Sequence, residues 1–299
     1  MSVHLVVTDS GLGGLTICAG IEQRLRQAGR GPDVRLTYVN AWPEEGRGYN
    51  DLPDLAARAA TFDRALQAIG RLAPDQIVIA CNTLSIVYEH TTHRQRAHVP
   101  VHGIIDAGVA LFAGALSAAA RAALVLVGTR TTIDSGVHRD RLRALGIRGD
   151  RVSGASCHGL ATAIERGPES EATAALIEAC AGRAAAVRPP GTPLFVGLCC
   201  THYGMVAARL GAAVLAKVGG PVETLDPNAR LVRDLVARLP VRQAGGRAGD
   251  GPAGPPVVRM LSKVALQEEQ RRAVAAILER TSPPTAAALL RYDHVPDLF

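Results

Sequence analysis

Two cysteines sit where thiols could move protons. Cys81 closes the apolar run Ile77-Val78-Ile79-Ala80 and is followed by Asn82-Thr83, while Cys200 follows Leu194-Phe195-Val196-Gly197-Leu198-Cys199 and precedes Thr201-His202. A buried cysteine often packs as a small hydrophobe. Small polar residues after an apolar strand instead predict a thiol at a helix start, where the positive helix end draws its pKa from about 8.5 toward neutrality. His202, two residues beyond Cys200, is a proton partner for it. Cys199 alternates away from that position or packs in the core. Two further chemistries use thiols. A redox pair needs the sulfurs to bond directly, and a phosphatase loop needs an arginine six residues after the cysteine, where the chain reads Ile86-Val87-Tyr88.

Asp9-Ser10-Gly11-Leu12-Gly13-Gly14 follows an apolar run near the start of the chain. Glycines there allow a tight turn whose N–H groups face an anion, and a carboxylate beside such a turn is suited to orienting or accepting a proton. Thr16 occupies the last glycine position of a dinucleotide fingerprint, and the chain has no Walker A sequence. His90, His93, His98 and His102 match no common metal spacing, and no CxxC pair occurs, so no metal site is expected.

The elements that must position these residues alternate. Short apolar, β-branched runs at 5–8, 35–39, 77–80, 123–127, 193–196 and 222–224 predict strands. Helical patterns fall near 16–27, 54–71, 106–118, 136–145, 171–186 and 203–217. Nearly continuous apolar strands separated by helices predict parallel sheets covered on both faces, with ligands beyond the strands' carboxyl ends. The paired cysteine loops predict an α/β protein of two pseudo-symmetric lobes, each a mostly parallel sheet flanked by helices, with the active site in the cleft between them. The expected division gives residues 1–100 plus 214–299 to the first lobe and 101–213 to the second. The Gly/Pro-rich stretch 243–256 reads as a loop, residues 257–280 as a strand and helix rejoining the first lobe, and 281–299 carries no clear signal.

Composition narrows the class. The 299 residues are 47% hydrophobic and 20% charged, enough apolar chain for a large core and too much for a disordered one. The net charge is +6, carried by dispersed arginines with only Lys217 and Lys263 as lysines, and no basic run is interleaved with aromatics. That pattern argues against a nucleic-acid groove and for a surface that attracts small anions. Residues 107–127 form the longest apolar stretch, but Arg121 interrupts it and Ala and Gly dominate it, so no membrane span is expected. With no export signal at Met1-Ser2-Val3-His4 and six cysteines spread along a long chain, a cytoplasmic, thiol-reduced protein without a disulfide framework is expected.

Taken together, Asp9-Ser10-Gly11, Cys81-Asn82-Thr83 and Cys200-Thr201-His202-Tyr203 resemble the glutamate racemase branch of the aspartate/glutamate racemase superfamily. The likeness runs from about Val6 to Asp226 and is densest over Pro74–Thr83. Thr129-Arg130-Thr131-Thr132 looks like the family's threonine motif, and Glu165 falls where the family places an acidic residue. The resemblance implies a cofactor-independent racemase or epimerase acting on a small amino-acid or other carboxylate substrate. Cys81 and Cys200 would be the two acid/base groups on opposite faces of the substrate, assisted by Asp9, His202 and Glu165. Ser10, Asn82, Thr83, Thr132 and Thr201 would hold its amino and carboxylate groups. Relatives are commonly homodimers.

The chain also departs from the family pattern. Ala41 and Gly46-Arg47-Gly48 stand where the family carries an aspartate and then Pro-Tyr-Gly, the grip on the glutamate side chain. Cys199 replaces a glycine, Gly204 a proline and His138 a tyrosine. Arg47 and Gly48 are therefore expected to hold a distal anionic group, with the arginine making a bidentate grip. Superfamily isomerases and decarboxylases acting on other carboxylic acids, and a silent ligand-binding homologue, are the alternative readings.

Overall fold

The computed structural model describes residues 3–30, 34–188, 191–239 and 256–299. Its strands are β1 (Val3–Asp9), β2 (Val34–Asn40), β3 (Gln76–Ile79), β4 (Val101–Gly103), β5 (Ala123–Gly128), β6 (Val152–Ser156), β7 (Leu194–Cys199), β8 (Val222–Leu225), β9 (Val257–Ser262) and β10 (Asp293–His294). They form a six-stranded sheet of order β10-β9-β2-β1-β3-β4 and a four-stranded sheet of order β6-β5-β7-β8. Every pairing within them is parallel.

The sequence pattern explains this arrangement. In β1, Leu5 and Val7 enter one apolar cluster and Val6 the cluster on the opposite face. In β5, Val125 and Val127 face one cluster while Leu124 and Leu126 face another. Helices on both sides of each sheet make both strand faces apolar, which is why these runs do not alternate. Each such buried aliphatic side chain contributes about 1.5–3 kcal/mol of transfer free energy.

Several elements differ from the sequence reading. β4, β6 and β10 were not apparent from the pattern, being three, five and two residues long, with Val-Ser-Gly-Ala-Ser in β6 too polar to register. The stretch near 203–217 begins as a 3-10 turn, Thr201–Val206, and becomes α-helical only over Ala207–Val218. Strand membership also moves the lobe boundaries. β4 joins the six-stranded sheet and β8 the four-stranded one, so the division expected at 100/101 and 213/214 does not follow the sheets. We propose crossings at 103/104 and 225/226 instead. Apart from Pro256, the stretch 243–256 lies outside the described residues.

The cysteines are not all reduced. Cys157, just after β6, is joined by a disulfide to Cys180 in helix Glu171–Ala186, their Cα atoms 5.3 Å apart. That helix packs on β6 and brings together two thiols distant in sequence, which spacing alone does not show. Cys18, Cys81, Cys199 and Cys200 are free and buried. No described helix is long and apolar enough to cross a membrane.

Candidate active site

The carboxyl ends of β1 and β3 in one sheet, and of β5 and β7 in the other, open onto a shared cavity of about 1220 Å³. Asp9, Ser10, Cys81, Asn82 and Thr83 line it from the first sheet's side, and Thr129, Glu165, Cys200, Thr201 and His202 from the second's. The expected convergence of both thiols on one cleft is therefore present. Cys199 is fully buried and packs in the cluster that holds Phe112 and Leu126.

Cys81 is the N-cap of helix Asn82–Tyr88, and its Sγ accepts the Leu84 N–H at 3.4 Å. Ser10 Oγ lies 3.2 Å from the same sulfur. The helix-start argument predicts a thiol drawn toward neutrality; the structure reverses this. Burial pushes the Cys81 thiol well up and the nearby Asp9 carboxylate adds to it, outweighing the hydrogen bonds from Ser10 and Leu84. The sequence identified the helix start but not the desolvation.

Around Cys200 the polar groups form a relay. His202 Nδ1 stands 3.6 Å from Cys200 Sγ, and His202 Nε2 stands 2.5 Å from Glu165 Oε1. Glu165 is held in turn by the Leu12 N–H at 2.6 Å and by Gln270 Nε2 at 2.5 Å on its other oxygen. Burial alone would lower the His202 pKa, but Glu165 and Cys200 together hold it well above its ordinary value. A protonated imidazole here donates from both ring nitrogens.

Asp9 lies on β1 but its hydrogen bond runs to the other lobe, where Thr201 Oγ1 donates to its Oδ2 at 2.8 Å. Its second oxygen is buried without a partner, and burial raises its pKa despite the opposing influence of His202 and Thr201. Thr83, Thr129 and Thr132 form a hydroxyl cluster across the lobes, with Oγ1 separations of 3.0 Å, 3.3 Å and 3.0 Å. Thr83 and Thr129 line the cavity; Thr132, 2% exposed, does not. Asn82 lines it with a buried Nδ2 that finds no partner in the protein. Gly13 is a point of close approach between the lobes. A Cβ there would stand 2.3 Å from Thr201 Oγ1 and 2.6 Å from His202 Nδ1.

The structure does not place Arg47, expected to grip a distal anion, on the cavity wall. Its guanidinium pairs with Glu44 at 3.7 Å, both side chains about half or more exposed, and the cavity wall holds Gly46 and Gly48 but not Arg47. An isolated bridge between Glu44 and Arg47 folds the loop back on itself and turns the arginine outward. Gly48 does line the cavity, but its N–H is taken by Asp51 Oδ2 at 2.8 Å. Three residues escaped the sequence reading. Tyr49 lines the cavity at 1% exposure, Asn50 Oδ1 accepts from Thr131 Oγ1 across the cleft at 2.7 Å, and Gln270 holds Glu165. Tyr49 and Asn50 directly follow the Gly-Arg-Gly stretch, the one local signal for them; nothing near Gln270 marks it.

The Asp/Glu/Hydantoin racemase family model matches residues 9–235. A glutamate racemase of Granulibacter bethesdensis is 31% identical over 255 residues, covering 83% of this chain and 82% of that one. A glutamate racemase of Mycobacterium leprae is 29% identical, with 82% and 86% covered. Among solved structures, a glutamate racemase isoform of Bacillus anthracis superposes with a TM-score of 0.67 at 22% identity, covering 93% of each chain. The Campylobacter jejuni glutamate racemase superposes with a TM-score of 0.69 at 20% identity, over 93% of this chain and 98% of that one. The family match covers the whole four-stranded sheet, β2, β3 and β4 of the other, and every cavity-lining segment except the one after β9, and the chain is accordingly a racemase of the Asp/Glu/hydantoin racemase family.

Proposed function

We propose that the protein interconverts the enantiomers of a free amino acid by a two-thiol acid/base mechanism that draws on no cofactor. The observation that carries this reading is that Cys81 and Cys200, from separate sheets, line a single cavity together with hydroxyl and amide side chains. Inverting a stereocentre through a planar carbanion needs one proton-transfer group on each face. In one direction the Cys81 thiolate takes the Cα proton, the electron pair delocalises into the α-carboxylate, and the Cys200 thiol delivers a proton to the opposite face. The reverse direction exchanges these roles.

The surroundings suit that division. On the Cys200 side, His202 Nδ1 faces the sulfur while Glu165 holds its Nε2, so the ring is placed to pass a proton to and from that sulfur. On the Cys81 side burial and the Asp9 charge disfavour ionisation of the thiol. A bound α-ammonium group supplies the opposite charge that favours the thiolate. Asn82 Nδ2 and the Thr83–Thr129 hydroxyls supply donors for the charge that develops on the carboxylate. The structural relative from Francisella tularensis, at a TM-score of 0.67, was solved with D-glutamate, which supports an amino acid as the ligand class.

Deuterium incorporation at Cα in D2O, with loss of optical rotation, tests this reading on the intact protein. Cys81→Ser and Cys200→Ser should each lower racemisation by roughly 10²–10⁴-fold, the range expected for removing a general acid/base. Undiminished racemisation in either variant would overturn the scheme.

A further inference from the structure

Granted the two-thiol reading above, we propose that the amino acid turned over here carries a side chain ending in nitrogen hydrogen-bond donors, a carboxamide or an amine, and not in a carboxylate. The loop after β2 supplies the wall that would meet that end. Its backbone donor Gly48 N–H is already committed to Asp51 Oδ2 at 2.8 Å. Its guanidinium, Arg47, is turned to Glu44 and stands off the cavity wall. The charged residues of this loop that line the cavity are instead two acids, Glu45 and Asp51. The guanidinium on the described wall, Arg166, belongs to helix Leu160–Arg166 of the other lobe.

A separate observation points to a ligand at the same wall. The Tyr49 ring is 1% exposed and packed edge-on against Phe62, yet its hydroxyl is buried without a hydrogen-bond partner in the protein. A buried hydroxyl without a partner carries a desolvation penalty that a ligand group can relieve. A neutral phenol oxygen accepts from an N–H as readily as it donates. Beside two carboxylates, a donor that is neutral or positive is favoured and a third carboxylate is repelled.

The test compares glutamate, glutamine, ornithine and norvaline, each as both enantiomers, by Cα-proton exchange in D2O with the wild-type protein. Glutamine or ornithine should exceed both glutamate and norvaline in kcat/KM by at least about tenfold, since a site built around buried polar groups discriminates strongly against ligands that leave them unpaired. Glutamate or norvaline within tenfold of the better of the two overturns this proposal and leaves the racemase reading standing. No exchange with any of the four overturns the two-thiol amino-acid reading on which the proposal rests. Asp51→Asn keeps an oxygen to accept the Gly48 N–H while removing the charge, so it should raise glutamate relative to ornithine by about tenfold; an unchanged ratio also overturns the proposal.

Discussion

The close approach at Gly13 gives the sharpest test of how the cavity is held. Gly13→Ala adds one methyl group, whose carbon would stand 2.3 Å from Thr201 Oγ1, 2.6 Å from His202 Nδ1 and 2.8 Å from His202 Cε1. Ordinary van der Waals contact begins near 3.4 Å, so the second lobe's loop must retreat by about 1 Å. Thr201 and His202 are 2% and 6% exposed and carry the hydrogen bonds to Asp9 and Glu165, so neither side chain can swing aside freely. Overpacking of this kind costs about 1–3 kcal/mol, while a displacement of about 1 Å at the reacting groups costs on the order of 10²-fold in rate. Gly13→Ala should therefore remain folded, with a Tm lowered by a few degrees, yet lose about 10²-fold in kcat. Gly114 is the matched control. It lies in helix Ile104–Ala118 with no atom within 4 Å of an added Cβ. Gly114→Ala should raise stability by about 0.5–1 kcal/mol through helix propensity and leave kcat unchanged. Thermal unfolding and circular-dichroism racemisation assays on the two variants separate these effects. Wild-type kcat in Gly13→Ala would show that the lobes are not locked at this spacing, and the reasoning would fail.

Glu165→Gln should weaken the pH dependence of stability that His202 confers. The folded His202 pKa stands above its ordinary value, so its contribution is present below about 6.5 and is lost as pH rises through the folded value. Without the Glu165 charge the largest influence holding that pKa up is gone and burial is opposed by Cys200 alone, so the variant should lose less stability than the wild type as pH rises; Tm measured between about pH 5.5 and 9 reads the difference, and an unchanged profile would refute it. Cys180→Ala opens the Cys157–Cys180 disulfide, whose sequence separation of 23 corresponds to about 3 kcal/mol in the chain-entropy model. Its Tm should match that of the reduced wild-type protein, and a Tm equal to that of the oxidised protein would show that the bond contributes nothing.

The sheets were legible because burial on both faces leaves uninterrupted aliphatic runs, as in Leu5–Val7 and Ala123–Val127. The thiol loops were legible because small polar residues after such runs are unusual. β4 and β6 were not, since short or Ser/Gly-containing strands take their conformation from neighbours rather than from propensity. The shift at Cys81 escaped because desolvation depends on what packs over a group, and the cover comes from segments remote in sequence. The same holds for Gln270, more than a hundred positions from the Glu165 it holds, and for Cys157 and Cys180. Arg47 was misplaced for a local reason, because charge and glycine flanks reveal reach but not direction, and Glu44 competes for it three residues away.

The threading of the six-stranded sheet has a consequence for synthesis. β9 zips onto β2 along six residue pairs, and Leu278 and Leu289 share a core with Leu5 and Leu36. The four-stranded sheet is drawn from one unbroken stretch of chain, so it can close while the ribosome is still at work. The other sheet must wait with the flank of β2 bare until the last segment emerges. A nascent chain stalled before residue 256 would present an open aliphatic strand edge on β2, which makes the β9 segment a safeguard against sticking to neighbours during manufacture.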